Sequence, residues 1–253
     1  MDKYKYFKTG LAGVLFSLLL LYSSFSAYSQ KSVAYDEELS EYSRAKELFE
    51  KEKYAASMAL FDSFIENADP LAATSRIIES EYLAAVSSIR LFNSDAAFRV
   101  NSFVNKHQGN LMNNSLLLEL ANHYYQSKNY RSAIRYYERV DRLELKSDLL
   151  PAYYFKFAYS HFMRGDRDKA MLFFSELTDI DTEYTPPAIY YFSHIAYDRK
   201  MYRTALEGFM RLTDDESFGP VVPFYIVQIM YIQEDYEGIL EIAPGLLKTS
   251  GED

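Results

Sequence analysis

The chain has 253 residues, of which 49% are hydrophobic and 25% charged, a composition typical of a folded globular protein. Its net charge is −9 at pH 7, and no lysine- or arginine-rich stripe is present, which argues against a nucleic-acid partner. The chain contains no cysteine, which excludes disulfides, thiolate zinc sites, cysteine nucleophiles and a lipid attached to an N-terminal cysteine. It contains 24 tyrosines and 18 phenylalanines but no tryptophan. Tyrosine combines an apolar ring with a polar tip and therefore suits half-buried or binding surfaces.

Residues 1–29 have the three-part pattern of a secretory signal. The basic start consists of Lys3, Lys5 and Lys8, and the apolar run that follows covers residues 11–21. This run is shorter than the roughly 20 residues that a membrane-spanning helix needs. Small residues at Ala27 and Ser29 predict cleavage after Ser29, with residues 30–37 forming a flexible lead-in. An uncleaved membrane anchor is the alternative.

The stretch from Asn114 to Asp141 predicts two amphipathic helices joined by a tight turn. On the first helix, residues 117, 120, 121 and 124 are apolar or small, and this i, i+3, i+4, i+7 spacing places them on one helical face. A polar break at residues 126–129 comes next. The face of the second helix consists of Tyr130, Ala133, Tyr137 and Val140.

The same arrangement recurs along the chain. The residue that opens the contact face of each second helix, usually a small one, stands at positions 57, 96, 133, 170, 205 and 239, so the intervals are 39, 37, 37, 35 and 34 residues. We therefore predict an all-α fold, a solenoid of about six helix hairpins, with no strand. Small residues allow close helix crossings, so we expect Ala121, Ala158 and Ser193 to meet Ala133, Ala170 and Ala205. The predicted repeats lie near residues 38–70, 77–110, 114–147, 151–184, 186–219 and 220–253.

This pattern resembles the tetratricopeptide repeat (TPR) family over residues 38–253. The unit from Asn114 carries most of the family's pattern, whereas Asn93 replaces an aromatic residue in the second unit and Ile239 replaces a small one in the last. The resemblance implies a right-handed superhelix with first helices lining its concave side. With its signal segment, the chain is similar to exported Gram-negative repeat proteins grouped with envelope-assembly and Tol-Pal-associated factors. This similarity implies a periplasmic or cell-envelope location.

The resemblance also implies an aromatic groove formed by the first helices. Its predicted partner-binding residues are Asn122, Tyr125, Phe155, Tyr159, Phe162, Tyr190, His194, Tyr197, Phe224 and Tyr231. One interpretation is that these side chains bind an extended or helical peptide, with tyrosines as anchors. The other is that they pack against neighbouring helices and fill the groove. The family's clamp for terminal carboxylates is not expected, because only Lys46 and Asn122 fit it and they lie two units apart.

The sequence contains no motif for catalysis, metal binding or a cofactor. Its four histidines form no helical ligand pair, and there is no phosphate loop or serine elbow. We therefore expect a non-enzymatic scaffold that binds a protein or peptide and has no small-molecule substrate. Its partners can bring it into peripheral association with a membrane. One alternative is a structural subunit, or an N-terminal segment, of a larger envelope assembly. Another is the sensor part of an enzyme or signalling protein.

Overall fold

The computed structural model describes residues 39–250, without the side chains of residues 243 and 246–250. The predicted signal segment 1–29 and lead-in 30–37 lie outside the described residues. Within residues 39–250 the regular structure is helical and no strand occurs, which confirms the predicted all-α fold. The α-helices are α1 (39–50), α2 (Tyr54–Asn67), α3 (Thr74–Arg90), α4 (Ala96–Lys106), α5 (Met112–Gln126), α6 (Tyr130–Tyr137), α7 (Leu150–Met163), α8 (Arg167–Ser175), α9 (Thr185–Asp198), α10 (Tyr202–Met210), α11 (Val222–Ile232) and α12 (Tyr236–Ser250).

The chain divides into two compact units, one up to His107 and one from Gln108. Within each unit, consecutive helices pack against each other in chain order, as expected for stacked hairpins. In the second unit α5 also contacts α7, so first helices of neighbouring repeats meet directly. Among the described residues, no helix combines the length and the apolar content that crossing a membrane requires.

The first unit is held by a small apolar core and by hydrogen bonds between hairpins. Ser57 is fully buried at the crossing of α1 and α2, where its hydroxyl donates a 2.8 Å hydrogen bond to the Ala45 carbonyl. Arg99 on α4 forms a bidentate pair with Asp62 on α2, with N–O distances of 2.7 and 2.9 Å. A planar guanidinium suits this two-point contact and fixes α4 against α2.

Small residues lie at the hairpin crossings of the second unit. The fully buried alanines include Ala121, Ala133, Ala158, Ala170 and Ala205. At the α9–α10 crossing a glycine is also involved, which the sequence pattern had not indicated. A Cβ on Gly208 would overlap the Ser193 hydroxyl oxygen, so the two backbones approach more closely than alanine allows without movement.

One residue in each hairpin turn adopts a left-handed backbone conformation. These residues are Glu52, Phe92, Lys128, Gly165, Lys200 and Glu234, with φ between 56° and 80°. The turns share a hydrogen-bond pattern, exemplified by the Lys128 N–H to the Tyr125 carbonyl and the Asn129 N–H to the Tyr124 carbonyl, both at 2.9 Å. Only Gly165 adopts this conformation without steric cost. The other five show that hairpin packing, rather than glycine, determines the turn.

Ala133→Leu should destabilise the second unit by about 1–3 kcal/mol, because the added atoms have no space at the α5–α6 crossing. Arg131→Leu, on an exposed position of the same helix, is the control and should change the free energy of unfolding by less than about 0.5 kcal/mol. Urea unfolding followed by circular dichroism measures both variants. Equal stability of the two would show that Ala133 does not lie at a close crossing.

Candidate partner-binding surface

The predicted groove residues all lie on first helices of the second unit. Asn122 and Tyr125 are on α5, and Phe155, Tyr159 and Phe162 are on α7. Tyr190, His194 and Tyr197 are on α9, whereas Phe224 and Tyr231 are on α11. We call these ten residues the first-helix row.

Much of the first-helix row is covered by the following repeat, and Tyr191 shows how. Its ring centroid lies 5.0 Å from that of Phe162, 5.3 Å from that of Tyr159 and 5.5 Å from that of Phe174. Burial, with the neighbouring Tyr159 hydroxyl, raises the pKa of Tyr191 to about 12. Tyr191 of α9 therefore lies between residues of α7 and α8 and holds two repeats together.

Tyr225 has the same position one repeat later. Its ring stacks on Phe209 at 4.8 Å and contacts Tyr197 at 5.6 Å and His194 at 5.7 Å between centroids. The Tyr197 hydroxyl donates a 2.6 Å hydrogen bond to Gln228 on the same helix as Tyr225. The row residues on α9 are thus engaged by α11, as those on α7 are engaged by α9.

Asn122, the polar residue of the row on α5, also has partners within the fold. The Asn122 side-chain oxygen accepts hydrogen bonds from the Tyr137 hydroxyl at 2.8 Å and from the Lys156 ammonium at 3.2 Å. Burial lowers the pKa of Lys156. Lys46, the other residue considered for a terminal-carboxylate clamp, lies in the first unit and pairs with Glu79 at 2.7 Å.

Tyr125 and Phe162 make aromatic and cationic contacts. The Tyr125 ring centroid lies 5.9 Å from that of Tyr159 in the next repeat. The Arg167 guanidinium lies 3.9 Å from the Phe162 ring centroid and donates a 2.7 Å hydrogen bond to the Phe162 carbonyl. One face of Phe162 is therefore covered by a cation from its own hairpin.

Two row residues differ from the others because their side chains are open to solvent. Phe224 is 67% exposed and Tyr231 is 63% exposed. On the adjoining helix α12, Tyr236 is 54% exposed and Leu240 is 76% exposed. The Tyr231 and Tyr236 ring centroids are 5.8 Å apart, so these two exposed rings are in contact. We call these four residues the α11–α12 face.

The sequence prediction omitted Tyr191, Tyr225, Lys156 and Arg167. Three of them have a common signal, because Lys156, Tyr191 and Tyr225 each stand directly after a residue of the first-helix row. They lie one residue away from the predicted row position. Consecutive residues are rotated by about 100° about the helix axis. This rotation separates a residue expected to face a ligand from one that packs between repeats.

Within residues 39–250, no group of three histidine, aspartate or glutamate side chains is arranged to hold a metal ion. His161 on α7 is buried, with its ring nitrogen 3.2 Å from the carboxylate of Asp166. Burial lowers the pKa of His161, which favours the neutral ring. The burial and the contact with Asp166 therefore indicate that His161 stabilises the fold.

Two surface clefts lie away from the first-helix row. One, of about 150 Å³, is lined by residues of α2, α3 and α4, including Phe98 and Arg99. The other, of about 370 Å³, lies beside the α9–α10 hairpin and is lined in part by Asp181, Arg211 and Asp214. Neither cleft is lined by a residue of the predicted groove.

No protein-family model matches the sequence, and no curated protein sequence matches it. The structure is similar to that of a tetratricopeptide repeat protein from Parabacteroides merdae, with a TM-score of 0.51 and 12% identity over 87% of this chain and 81% of that one. It also matches a thermophilic TPR protein from Thermus thermophilus, with a TM-score of 0.36 and 16% identity over 75% of this chain and 99% of that one. From the first of these similarities, the chain has the tetratricopeptide repeat fold.

Tyr191→Ala should destabilise the second unit by about 2–3 kcal/mol, because it removes a half-buried ring from the junction of two repeats. Phe224→Ala should cost less than about 0.5 kcal/mol, since that ring is mostly exposed. Chemical unfolding of both variants and of the wild type measures the difference. A large loss for Phe224→Ala, or none for Tyr191→Ala, would contradict the assignment of packed and open positions.

Proposed function

We propose that this chain is a non-enzymatic scaffold of the bacterial cell envelope, which binds a protein or peptide through the first-helix row. The observation that carries the proposal is the recurrence of aromatic residues at the row positions of α5, α7, α9 and α11, which ends in the exposed rings of Phe224 and Tyr231. Stacked helix hairpins commonly present such extended surfaces to protein partners. Aromatic side chains are also the residues that most often dominate binding energy at protein interfaces.

The packing of the first-helix row suggests that its two ends would contribute differently to binding. Between Tyr125 and Tyr197 the rings contact one another, so a partner would meet ring edges and hydroxyl groups there. At Phe224 and Tyr231 a partner can cover whole rings, which releases more water per residue. We therefore expect the largest contributions to affinity from the α11 end of the row.

The proposed location is supported by the sequence alone. Residues 1–29 combine a basic start, an apolar run and small residues before the predicted cleavage position after Ser29. Contact with a membrane would come through partners. The net charge of −9 gives nucleic acid little attraction to this chain.

A structural role in a larger envelope assembly is the second candidate function. It is favoured by the contacts of Tyr191 and Tyr225, which fill space between repeats and make the row part of the interior. In that case the aromatic residues stabilise the stack, and partners bind elsewhere on the chain.

Affinity purification from envelope fractions tests the proposal. Phe224→Ala/Tyr231→Ala should lose the partners that the wild type retains, because the open rings are removed without disturbing a repeat junction. Leu143→Ala/Leu172→Ala, which truncates exposed apolar residues outside the row, is the matched control and should retain them. A Tyr159→Ala/Tyr190→Ala/Tyr197→Ala variant extends the test, with circular dichroism checking that it folds. If all variants retain the same partners, the first-helix row is not the binding surface.

A further inference from the structure

The α11–α12 face has the same composition as surfaces that are covered elsewhere in the second unit. Phe224 stands 34 residues after Tyr190, which itself stands 35 residues after Phe155. Phe155 receives Tyr184 and Tyr191 of the next repeat, at centroid distances of 5.4 and 6.5 Å. Tyr190 receives Phe218 and Tyr225, at 4.8 and 6.4 Å. Phe224 occupies the equivalent position and is 67% exposed.

The two α12 residues of the face, Tyr236 and Leu240, are also equivalent to residues that the next repeat contacts elsewhere in the second unit. Tyr130 is equivalent to Tyr236 and contacts Tyr159 of the next repeat at 5.9 Å between centroids. Met171 is equivalent to Leu240 and packs against the apolar core of the next repeat. Leu240 is instead 76% exposed. The α11–α12 face therefore corresponds to the surface into which the next repeat inserts its aromatic side chains at the other junctions. We call this surface the receiving half of a junction, and the inserted residues the inserting half.

The inserting half of such a junction has a defined spacing. Tyr184 and Tyr191 are seven residues apart, as are Phe218 and Tyr225. In each pair the first aromatic residue precedes the helix and the second lies within it. Both members of a pair contact the same ring of the preceding repeat, which is Phe155 in one junction and Tyr190 in the other. A segment that fits the α11–α12 face would repeat this pattern, with two aromatic side chains seven residues apart at the start of a helix.

Charge restricts the occupant further. Residues 212–247 contain seven aspartates and glutamates and no lysine or arginine. Four of these acidic residues lie on or beside α12 and are exposed: Glu234, Asp235, Glu237 and Glu241. A second copy docked through the same face would bring like charges together, which costs free energy, whereas a basic segment would be attracted.

We propose that the α11–α12 face binds a basic amphipathic helix of a partner protein that carries two aromatic side chains seven residues apart. The proposal rests on the scaffold function above and names the chemistry of its partner. The aromatic pair would cover Phe224 and Tyr231, and lysine or arginine side chains would face the acidic residues of α12.

A designed peptide tests the proposal on the full chain. The probe is a labelled helical peptide with two tyrosines seven residues apart and lysines beside them, and fluorescence anisotropy measures its Kd. One control peptide has the tyrosines five residues apart, which places them on different helical faces. A second control replaces the lysines with glutamates. We expect each control to bind at least tenfold more weakly, and the binding of the probe to weaken as salt increases.

Protein variants locate the peptide. Tyr236→Ala/Leu240→Ala should weaken probe binding at least tenfold, and Leu143→Ala/Leu172→Ala should not change it. Equal binding of the lysine and glutamate peptides, or no effect of Tyr236→Ala/Leu240→Ala, would overturn the proposal. So would a wild-type dimer, measured by sedimentation equilibrium, that Leu240→Glu abolishes, because the occupant would then be a second copy.

Failure of this inference is distinguishable from failure of the scaffold function. Tyr236 and Leu240 lie outside the first-helix row, so the peptide experiment can fail while Phe224→Ala/Tyr231→Ala still loses partners from envelope fractions. In that case the row binds a partner of different chemistry. If the row variants retain every partner, the scaffold function itself fails.

Discussion

Insertion of aromatic side chains from one hairpin into the preceding one is the interaction on which the second unit depends. A single helix hairpin has too little apolar surface to fold alone, so neighbouring hairpins must cover each other. Tyr191 does this between α7 and α9, and Tyr225 between α9 and α11. Tyrosine suits the position because it combines a large apolar ring with a polar hydroxyl group. Burial raises the pKa of Tyr125, Tyr190 and Tyr191 to about 12. Tyrosine hydroxyls are neutral at pH 7 in any case, and the raised pKa extends this neutrality to more alkaline pH.

The same interaction decides which side chains of the first-helix row are exposed to solvent. A ring that is packed on both faces stabilises the fold, and only its edge is accessible to another molecule. The exposed rings of Phe224 and Tyr231 offer the whole surface at little cost to stability. Under the proposed function, stability and binding are thus assigned to different repeats of one pattern. In the proposed complex, the acidic residues of α12 would add selectivity, since apolar rings alone would accept any apolar segment.

The sequence was sufficient to predict the helix hairpins and their order, because small residues such as Ala133, Ala170 and Ala205 mark the close crossings at regular intervals. It was insufficient to separate Tyr190 from Tyr191, since adjacent tyrosines on one helix look alike until the neighbouring repeat is placed against them. The left-handed backbone conformation of the turn residues could not be predicted either, because Lys128 and Lys200 are not residue types that favour a positive φ. The close approach at Gly208 depends on tertiary packing in the same way. Pattern therefore predicts the fold, whereas the candidate site depends on side-chain contacts between repeats.

A double-mutant cycle across one repeat junction tests the central claim most directly. Tyr190 on α9 and Phe218 before α11 are stacked at 4.8 Å between ring centroids. We predict that Tyr190→Ala and Phe218→Ala are coupled by about 0.5–1.5 kcal/mol in the free energy of unfolding. The pair Tyr190→Ala and Leu172→Ala, which share no ring contact, should be additive. Additivity for Tyr190 and Phe218 as well, within about 0.3 kcal/mol, would show that inserted aromatic rings do not hold the repeats together.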